Sequence, residues 1–329
     1  MPTVWSRKTG RLAGLLAAAL AVVGATAAHA QSGYGASPVR LIVTNAPGTA
    51  PDVLGRSLAE ALQKARGTPF VVENKVGVQG VIGGESVARA RPDGTMLLLA
   101  SDTVTTVLPH LPDKLPFDPL KDLKPIAMVA DAAYVLVAHP SLHVKSAGEL
   151  VQLAKSKPDA LDYASTGVNS AHNRVMVQFM KVAGIRMHQV PYGSTGPLAD
   201  VLAGVVPVMW SGLSGAIPLV KAGKLVPLAI SSPKRHPSLP EVPTADELGY
   251  KGYDEVTWFG VMGPAGLPDS VVSAIQADIL KAVGTPGFRQ RMLSQGMDVR
   301  PGTAEDFKRQ IAFDYARNKD RIAIEPLGK

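Results

Sequence analysis

Residues 38–67 read PVRLIVTNAPGTAPDVLGRSLAEALQKARG, an apolar run joined to an amphipathic helix through a loop of small residues. Val39, Leu41, Ile42 and Val43 form a short, β-branched-rich segment bounded by turn residues, which predicts a strand buried on both faces. From Val53 onward, Leu54, Leu58, Ala61, Leu62 and Ala65 recur at three- and four-residue spacing, with Arg56, Glu60 and Lys64 on the other side. That is a helix with one wet face. A helix that starts at the carboxyl end of a parallel strand points unpaired amides into the crevice where such sheets bind ligands, and an anion is favoured there. Thr49 and Asp52 fit a capping box that starts the helix near Ala50, with Pro51 tolerated in the first turn. An ordinary strand-helix connection without a ligand fits this stretch equally well.

Upstream, residues 1–30 carry Arg7, Lys8 and Arg11, then an almost unbroken apolar segment from Leu12 to Ala28, then Ala28-His29-Ala30. This pattern predicts a secretory signal peptide cleaved near Ala30-Gln31. The chain has no cysteine, so it offers neither a disulfide framework nor a lipidated cysteine after the signal. A soluble periplasmic protein is the simplest reading. Removing the segment lowers the formal net charge from +7 to 34 − 3 − 27 = +4. With basic residues scattered and no aromatic interleaving, a nucleic-acid partner is not expected.

The opening scheme then repeats. Phe70-Val71-Val72-Glu73 predicts a strand, followed by the glycine-rich stretch 74–84, NKVGVQGVIGG, and a helical stretch from Glu85 to Ala90. The spacing of Gly77, Gly80 and Gly83 is not the dinucleotide-binding fingerprint. Residues 96–100 form a third buried strand that delivers Ser101, Asp102 and Thr103 at its end.

Seven stretches, in this order, resemble the Bug family, the substrate-binding proteins associated with tripartite tricarboxylate transporters. They are RLIVTNAPGTAPDVLGRSLAEAL (40–62), VVENKVGVQGVIGGESVARARPDGTMLLLAS (71–101), LPFDPLKDLKPIAMVA (115–130), YASTGVNSAHN (163–173), VPYGSTGPLADVLAG (190–204), KAGKLVPLAISSPKRHPSLPEVPTADELGY (221–250) and TWFGVMGPAGLP (257–268). The resemblance covers nearly the whole mature chain. It implies an α/β, two-lobed periplasmic binding protein of the type II, Venus-flytrap kind, each lobe a mixed, mostly parallel sheet flanked by helices. Residues 31–130 plus 254–329 are expected to form lobe 1 and residues 131–253 lobe 2, closing by a hinge near Val129 and Asp254 on a small carboxylate-containing solute. The implied partners are that ligand and a membrane permease or sensor, with the protein a monomer and no cofactor.

The middle of the chain shows the same design. Tyr134 to Ala138 predicts a strand, Ser146 to Ser156 a helix, and residues 161–164 a strand leading into Ser165-Thr166-Gly167-Val168-Asn169-Ser170 before a helix from Asn173. Ser165, Thr166 and Ser170 are candidate donors to a carboxylate, with His172 at the rim, although Ser and Thr also cap their own helices. Residues 190–192 lead to a second loop, Gly193-Ser194-Thr195-Gly196-Pro197. A strand over 205–210 ends at Ser211-Gly212-Leu213-Ser214-Gly215. The candidate ligand-binding set is Pro47, Gly48, Thr49, Gly80, Val81, Ser101, Ser165, Thr166, Ser170, His172, Tyr192 and Ser211. His139 and His143 are four apart, but Pro140 between them and the lack of an adjoining carboxylate or cysteine give no metal site.

Departures from the family pattern bear on the ligand. Gly48-Thr49-Ala50-Pro51 stands where a double glycine and a Thr or Ser are usual, Gln79 and Val81 where Gly and Asn are common, Gly193 where Lys or Arg is frequent, and Ser211 where Asp is frequent. Two charges are thereby absent, and the missing Asp argues against an ammonium-bearing ligand. Val81 and Trp210 suggest an apolar or aromatic body on a carboxylate, held by Gly48 and Thr49 at one end and by Ser165, Thr166 and Ser170 at the other. Two alternatives stay open. One is a sensor or scaffold with a degenerate pocket. The other is an exported α/β hydrolase, because Gly212-Leu213-Ser214-Gly215-Ala216 resembles a nucleophile elbow without its last glycine. No convincing nucleophile-base pair accompanies it, so an enzyme is not expected.

Overall fold

The computed structural model describes residues 34–324 apart from 113, 194 and 195. The predicted signal segment, its cleavage site and Ser194-Thr195 lie outside the described residues. Five strands begin the two halves of the chain: β1 (Val39–Val43), β2 (Phe70–Asn74) and β3 (Met96–Ser101) in the first, β5 (Asp162–Ser165) and β6 (His188–Pro191) in the second. β1 pairs in parallel with both β2 and β3, and β5 pairs in parallel with β6 and with β7 (Val208–Gly212). Parallel neighbours need crossover helices, and the chain supplies α1 (Ala50–Arg66), α2 (Val81–Ala88), α3 (Ala147–Ser156), α4 (Ala171–Ala183) and α5 (Pro197–Leu202). α6 (Leu213–Lys221) follows β7 directly.

β4 (Leu123–Ala138), sixteen residues long, joins the halves. Leu123 to Ala133 pair antiparallel with β9 (Val256–Pro264), and Tyr134 to Ala138 pair with β7. The strand therefore changes partners between Ala133 and Tyr134. β8 (Val226–Ile230) also pairs with its second part, and β10 (Met297–Gly302) with its first. The sheet order is β2-β1-β3-β9-β4-β7-β5-β6, so the parallel strands are outermost and the crossing strands central. Among the described residues, the helices α7 (Asp269–Val283), α8 (Pro286–Ser294) and α9 (Ala304–Ile324) follow β9, with β10 between the last two. No helix among the described residues is long and apolar enough to cross a membrane.

Side-chain alternation along each strand divides the core. Leu97 and Leu99 pack on one face against Leu54, Leu58 and Ile275, while Leu98 and Ala100 pack on the other with Trp258 and Phe307. In the second half, Trp210 faces Phe179 and Tyr253, and Met209 faces the opposite way with Leu213 and Val201.

Two local readings change. The helix after the glycine-rich stretch starts at Val81, not Glu85, and ends at Ala88. The expected capping box does not form. Thr49 is the N-cap but its hydroxyl donates to the Ala46 carbonyl at 2.7 Å, and Asp52 reaches past it to the Gly48 amide at 2.9 Å.

Candidate functional site

The carboxyl ends of β1, β3, β5 and β7 open on one crevice of about 1000 Å³ between the two halves. Its walls are the first turns of helices and the loops before them. From the first half come Thr44, Gly48, Thr49 and Ser101, and from the second Thr166, Ser170, His172 and Ser211. Among the described residues, none that lines it is Asp, Glu, Lys or Arg.

Each loop is fixed from behind. Asp52, 2% exposed, accepts from the Gly48 amide at 2.9 Å, from Arg56 Nε at 2.9 Å and from Asn74 Nδ2 at 2.7 Å. Burial raises its pKa, but the hydrogen bonds from Arg56, Asn74 and Gly48 outweigh burial and leave the carboxyl below its ordinary value. Across the crevice, Ser170 caps α4 by accepting from the Asn173 amide at 3.2 Å and donates to the Gly167 carbonyl at 2.7 Å. Asn173 in turn accepts from the Tyr163 hydroxyl at 2.7 Å. These bonds leave the first amides of α4, at Ala171 and His172, without intrahelical acceptors beside the crevice.

The histidine is uncharged. Burial first, and Arg174 second, push the His172 pKa down to about 4. Beneath its ring, the Tyr134 and Thr257 hydroxyls lie 2.7 Å apart, and burial raises the tyrosine to about 12. The crevice thus presents hydroxyls, amides and a neutral imidazole.

Of the candidate ligand-binding residues, Gly48, Thr49, Ser101, Thr166, Ser170, His172 and Ser211 line the crevice. The other five lie elsewhere. Pro47 is exposed beside it. Gly80 packs on Thr44, and Val81 sits in the core with Ile42 and Phe117, so the bulkier wall expected from Val81 does not form. Gln79, held at φ 54°, faces the crevice instead. Ser165 is fully buried and accepts from Gln189 Nε2 at 2.7 Å. Tyr192 turns its hydroxyl to Asp200 at 2.7 Å. Trp210, 0% exposed and stacked on Tyr253, faces away from the crevice, because neighbours on a strand point to opposite faces and Met209 and Ser211 hold the inner one.

Sequence reasoning missed the central wall. Tyr134, Thr257 and Phe259 from the crossing strands, Gln295 and Gly296 before β10, and Met297 at its start all line the crevice. Phe259 arrives by pairing with Ser101, a contact with no local signal. The apolar surface expected from Trp210 and Val81 is supplied by Met209, Phe259 and Met297.

Ser214, the serine of the elbow-like stretch, lines the crevice in the first turn of α6. It makes no hydrogen bond to a histidine or carboxylate among the described residues, and His172 Nδ1 is engaged by Thr166. The strand-to-helix turn is present without the partners a nucleophile requires. Pro51 and Ser211 both stand in the wall of the crevice.

The model of the tripartite tricarboxylate transporter family receptor, TctC, matches residues 54–327. Protein BugT of Bordetella pertussis is 31% identical over 309 residues, 93% of this chain and 95% of its own. Among solved structures, the periplasmic binding protein BugD is 29% identical with a TM-score of 0.79, covering 88% of this chain and 98% of its own. Rpa4515 of R. palustris, solved with adipate, is 27% identical with a TM-score of 0.81 (87% and 96% covered). MatC of Rhodopseudomonas palustris, solved with bound malate, is 27% identical with a TM-score of 0.76 (86% and 98% covered). With strands and helices arranged in two lobes around an uncharged crevice, and with this match along most of its length, the chain belongs to the tripartite tricarboxylate transporter receptor family of solute-binding proteins.

Proposed function

We propose that the protein captures, in the periplasm, a small solute bearing one or two carboxylates and an apolar body. One observation carries the reading. The N-termini of α1, α4 and α6 open on the same crevice, and no formally charged side chain among the described residues lines it. A helix N-terminus carries roughly half a positive charge, and each favours an anion by about 0.3–1 kcal/mol, more when partly buried. α1 lies in one lobe and α4 and α6 in the other. Two carboxylates at opposite ends of a chain would therefore each find a helix end, with Met209, Phe259 and Met297 against the methylenes between them. Adipate and malate, the ligands of two related structures, have this two-ended design.

The same walls disfavour amines. An ammonium group taken from water needs a carboxylate or several acceptors, and the described residues that line the crevice offer no carboxylate. Delivery of the solute to a membrane permease or a sensor belongs to this reading through the family, and residues 1–30 supply the export signal it requires.

Thermal unfolding of the chain from Gln31 onward, against aliphatic and aromatic mono-, di- and tricarboxylates and amino acids, tests the reading. A ligand at a hundred times its dissociation constant stabilises by about 2.7 kcal/mol, a shift of several degrees for a chain of this size. Dicarboxylates or apolar monocarboxylates should shift the midpoint and amines should not. A shift confined to amino acids or amines would overturn the assignment.

A further inference from the structure

Two contacts cross between the lobes beside the crossing strands, on opposite faces of the sheet. On one face, Gly296 of lobe 1 lies on Leu213 and Ser214 of lobe 2. A Cβ placed on Gly296 would fall against Leu213 Cβ and within 2.8 Å of the Ser214 amide nitrogen, with φ at +69°. On the other face, Asp102 at the end of β3 pairs with Arg174 on α4, and both are 5% exposed. Leu213 and Met297 belong to cores on the first face, Val104 and Val175 to cores on the second.

Both contacts sit close to the turning point. Met297 pairs with Ala132 on β4 and Gly212 with Tyr134, so the Gly296 contact is next to the place where β4 changes partners. Both also flank the ligand surface, since Gly296, Leu213 and Ser214 line it, as do Ser101 and Thr103 around Asp102 and His172 near Arg174. A single added atom near a hinge axis displaces the far strands several times as much. Conversely, the absence of that atom lets the lobes come together.

We propose that Gly296 and the Asp102–Arg174 pair are positioning residues that set the resting angle between the lobes, and hence how open the crevice stands before a solute arrives. Gly296 permits backbone-to-backbone approach on one side. The ion pair, desolvated only while the lobes are together, holds the other. Opening would expose both charges to water, so closure and pairing are one event. The inference rests on the two-lobed reading but not on the solute class, and its test needs no ligand.

The chain has no cysteine, so Val71→Cys and His188→Cys place two spin labels cleanly on β2 and β6, the outermost strands. Pulsed electron resonance then reads the distance between the lobes. Gly296→Ala and Asp102→Asn should each lengthen it by several ångströms. Gly223→Ala is the control, because Gly223 has φ +67° with nothing within 4 Å and carries the same backbone penalty without the contact. An unchanged distance in both Gly296→Ala and Asp102→Asn overturns the proposal, as does an equal lengthening in Gly223→Ala. If Gly296→Ala fails to fold, Asp102→Asn, of nearly unchanged size, decides it. Because no solute enters, failure here leaves the thermal-shift panel to judge the carboxylate reading separately.

Discussion

His172 Nδ1 lies 2.9 Å from Thr166 Oγ1, and this one bond fixes the imidazole edge-on to Tyr134 at the crevice wall. Burial and the neighbouring Arg174 hold the ring neutral, with its pKa at about 4. For a histidine whose folded pKa lies below its unfolded value, the unfolded state binds the proton more readily. Stability from this residue is therefore present above about pH 6.5 and is lost as pH falls toward 4. Among the described residues that line the crevice, Tyr134 is the other titratable one, and its pKa is raised to about 12. Carboxylate affinity should be flat between about pH 5.5 and 8, measured by calorimetry with the best ligand of the panel. A decline as pH rises through 6.5 would show that a histidine cation binds the solute.

Asp52 holds the Gly48-Thr49 loop although it does not line the crevice. Replacing it with Ala removes the acceptor of the exposed Gly48 amide and one of the two acceptors of Asn74 Nδ2, which keeps the Asn45 carbonyl, at a cost of about 1–2 kcal/mol. Asp52→Asn keeps part of the geometry and should cost about half as much. Because the folded pKa is depressed, this stabilisation is present above the ordinary carboxylate range and lost as pH falls through the folded value. Urea unfolding at pH 7 and pH 3 checks both statements, since the gap between the wild type and Asp52→Ala should narrow at the lower pH.

Ser165 and Thr166 are adjacent but separable. Ser165 Oγ accepts from Gln189 Nε2 and, at 3.3 Å, from the Gly167 amide, out of reach of solvent. Ser165→Ala should lower stability by about 1–2 kcal/mol and change affinity only through the loop. Thr166→Ala should do the reverse, leaving unfolding nearly unchanged while freeing the His172 ring and weakening binding. Ser170→Ala removes an N-cap and should cost about 1 kcal/mol of stability. Melting and affinity measured on all three variants separate the roles, and a Ser165→Ala protein of normal stability with lost affinity would return Ser165 to the ligand.

What could be read from the chain follows from range. β1 and α1 are legible because their signals are local, a continuous apolar run and a 3.6-residue period. The loops after β1, β3 and β5 follow from them, and so do Gly48, Thr49, Ser101, Thr166 and Ser170. β4 was foreseen only from Tyr134 to Ala138, because Pro125 and Asp131 interrupt its apolar run. Its full length depends on pairing with β9 and β10, distant in sequence. Tyr134, Thr257, Phe259 and Gly296 reach the crevice through that pairing and leave no periodic trace. Trp210 is different: the alternation of Met209, Trp210 and Ser211 was visible, and reading it strictly places the indole away from the site.

Asp131, which hid β4 in the sequence, should also limit stability at neutral pH. The β4–β10 register sets Asp298 directly opposite it, Arg300 lies 3.2 Å away as its cation, and its Oδ1 has no partner. Burial dominates, Arg300 opposes it, and Asp254, Asp298 and Asp314 add to it, pushing the carboxyl up to about 6. A carboxyl with a raised folded pKa binds its proton more readily in the folded state, so stability falls as pH rises from about 4 to about 6. A rise from 3.8 to about 6 corresponds to about 3 kcal/mol lost by pH 7.5. Asp131→Asn removes this cost, while Arg300 keeps its bond to Gln310 at 2.9 Å and its access to water. Calorimetry should therefore find the Asn variant melting higher at pH 7.5, with the difference gone by about pH 4. A variant that melts lower at pH 7.5 would mean that the Arg300 pairing outweighs burial and that the carboxylate is held ionised.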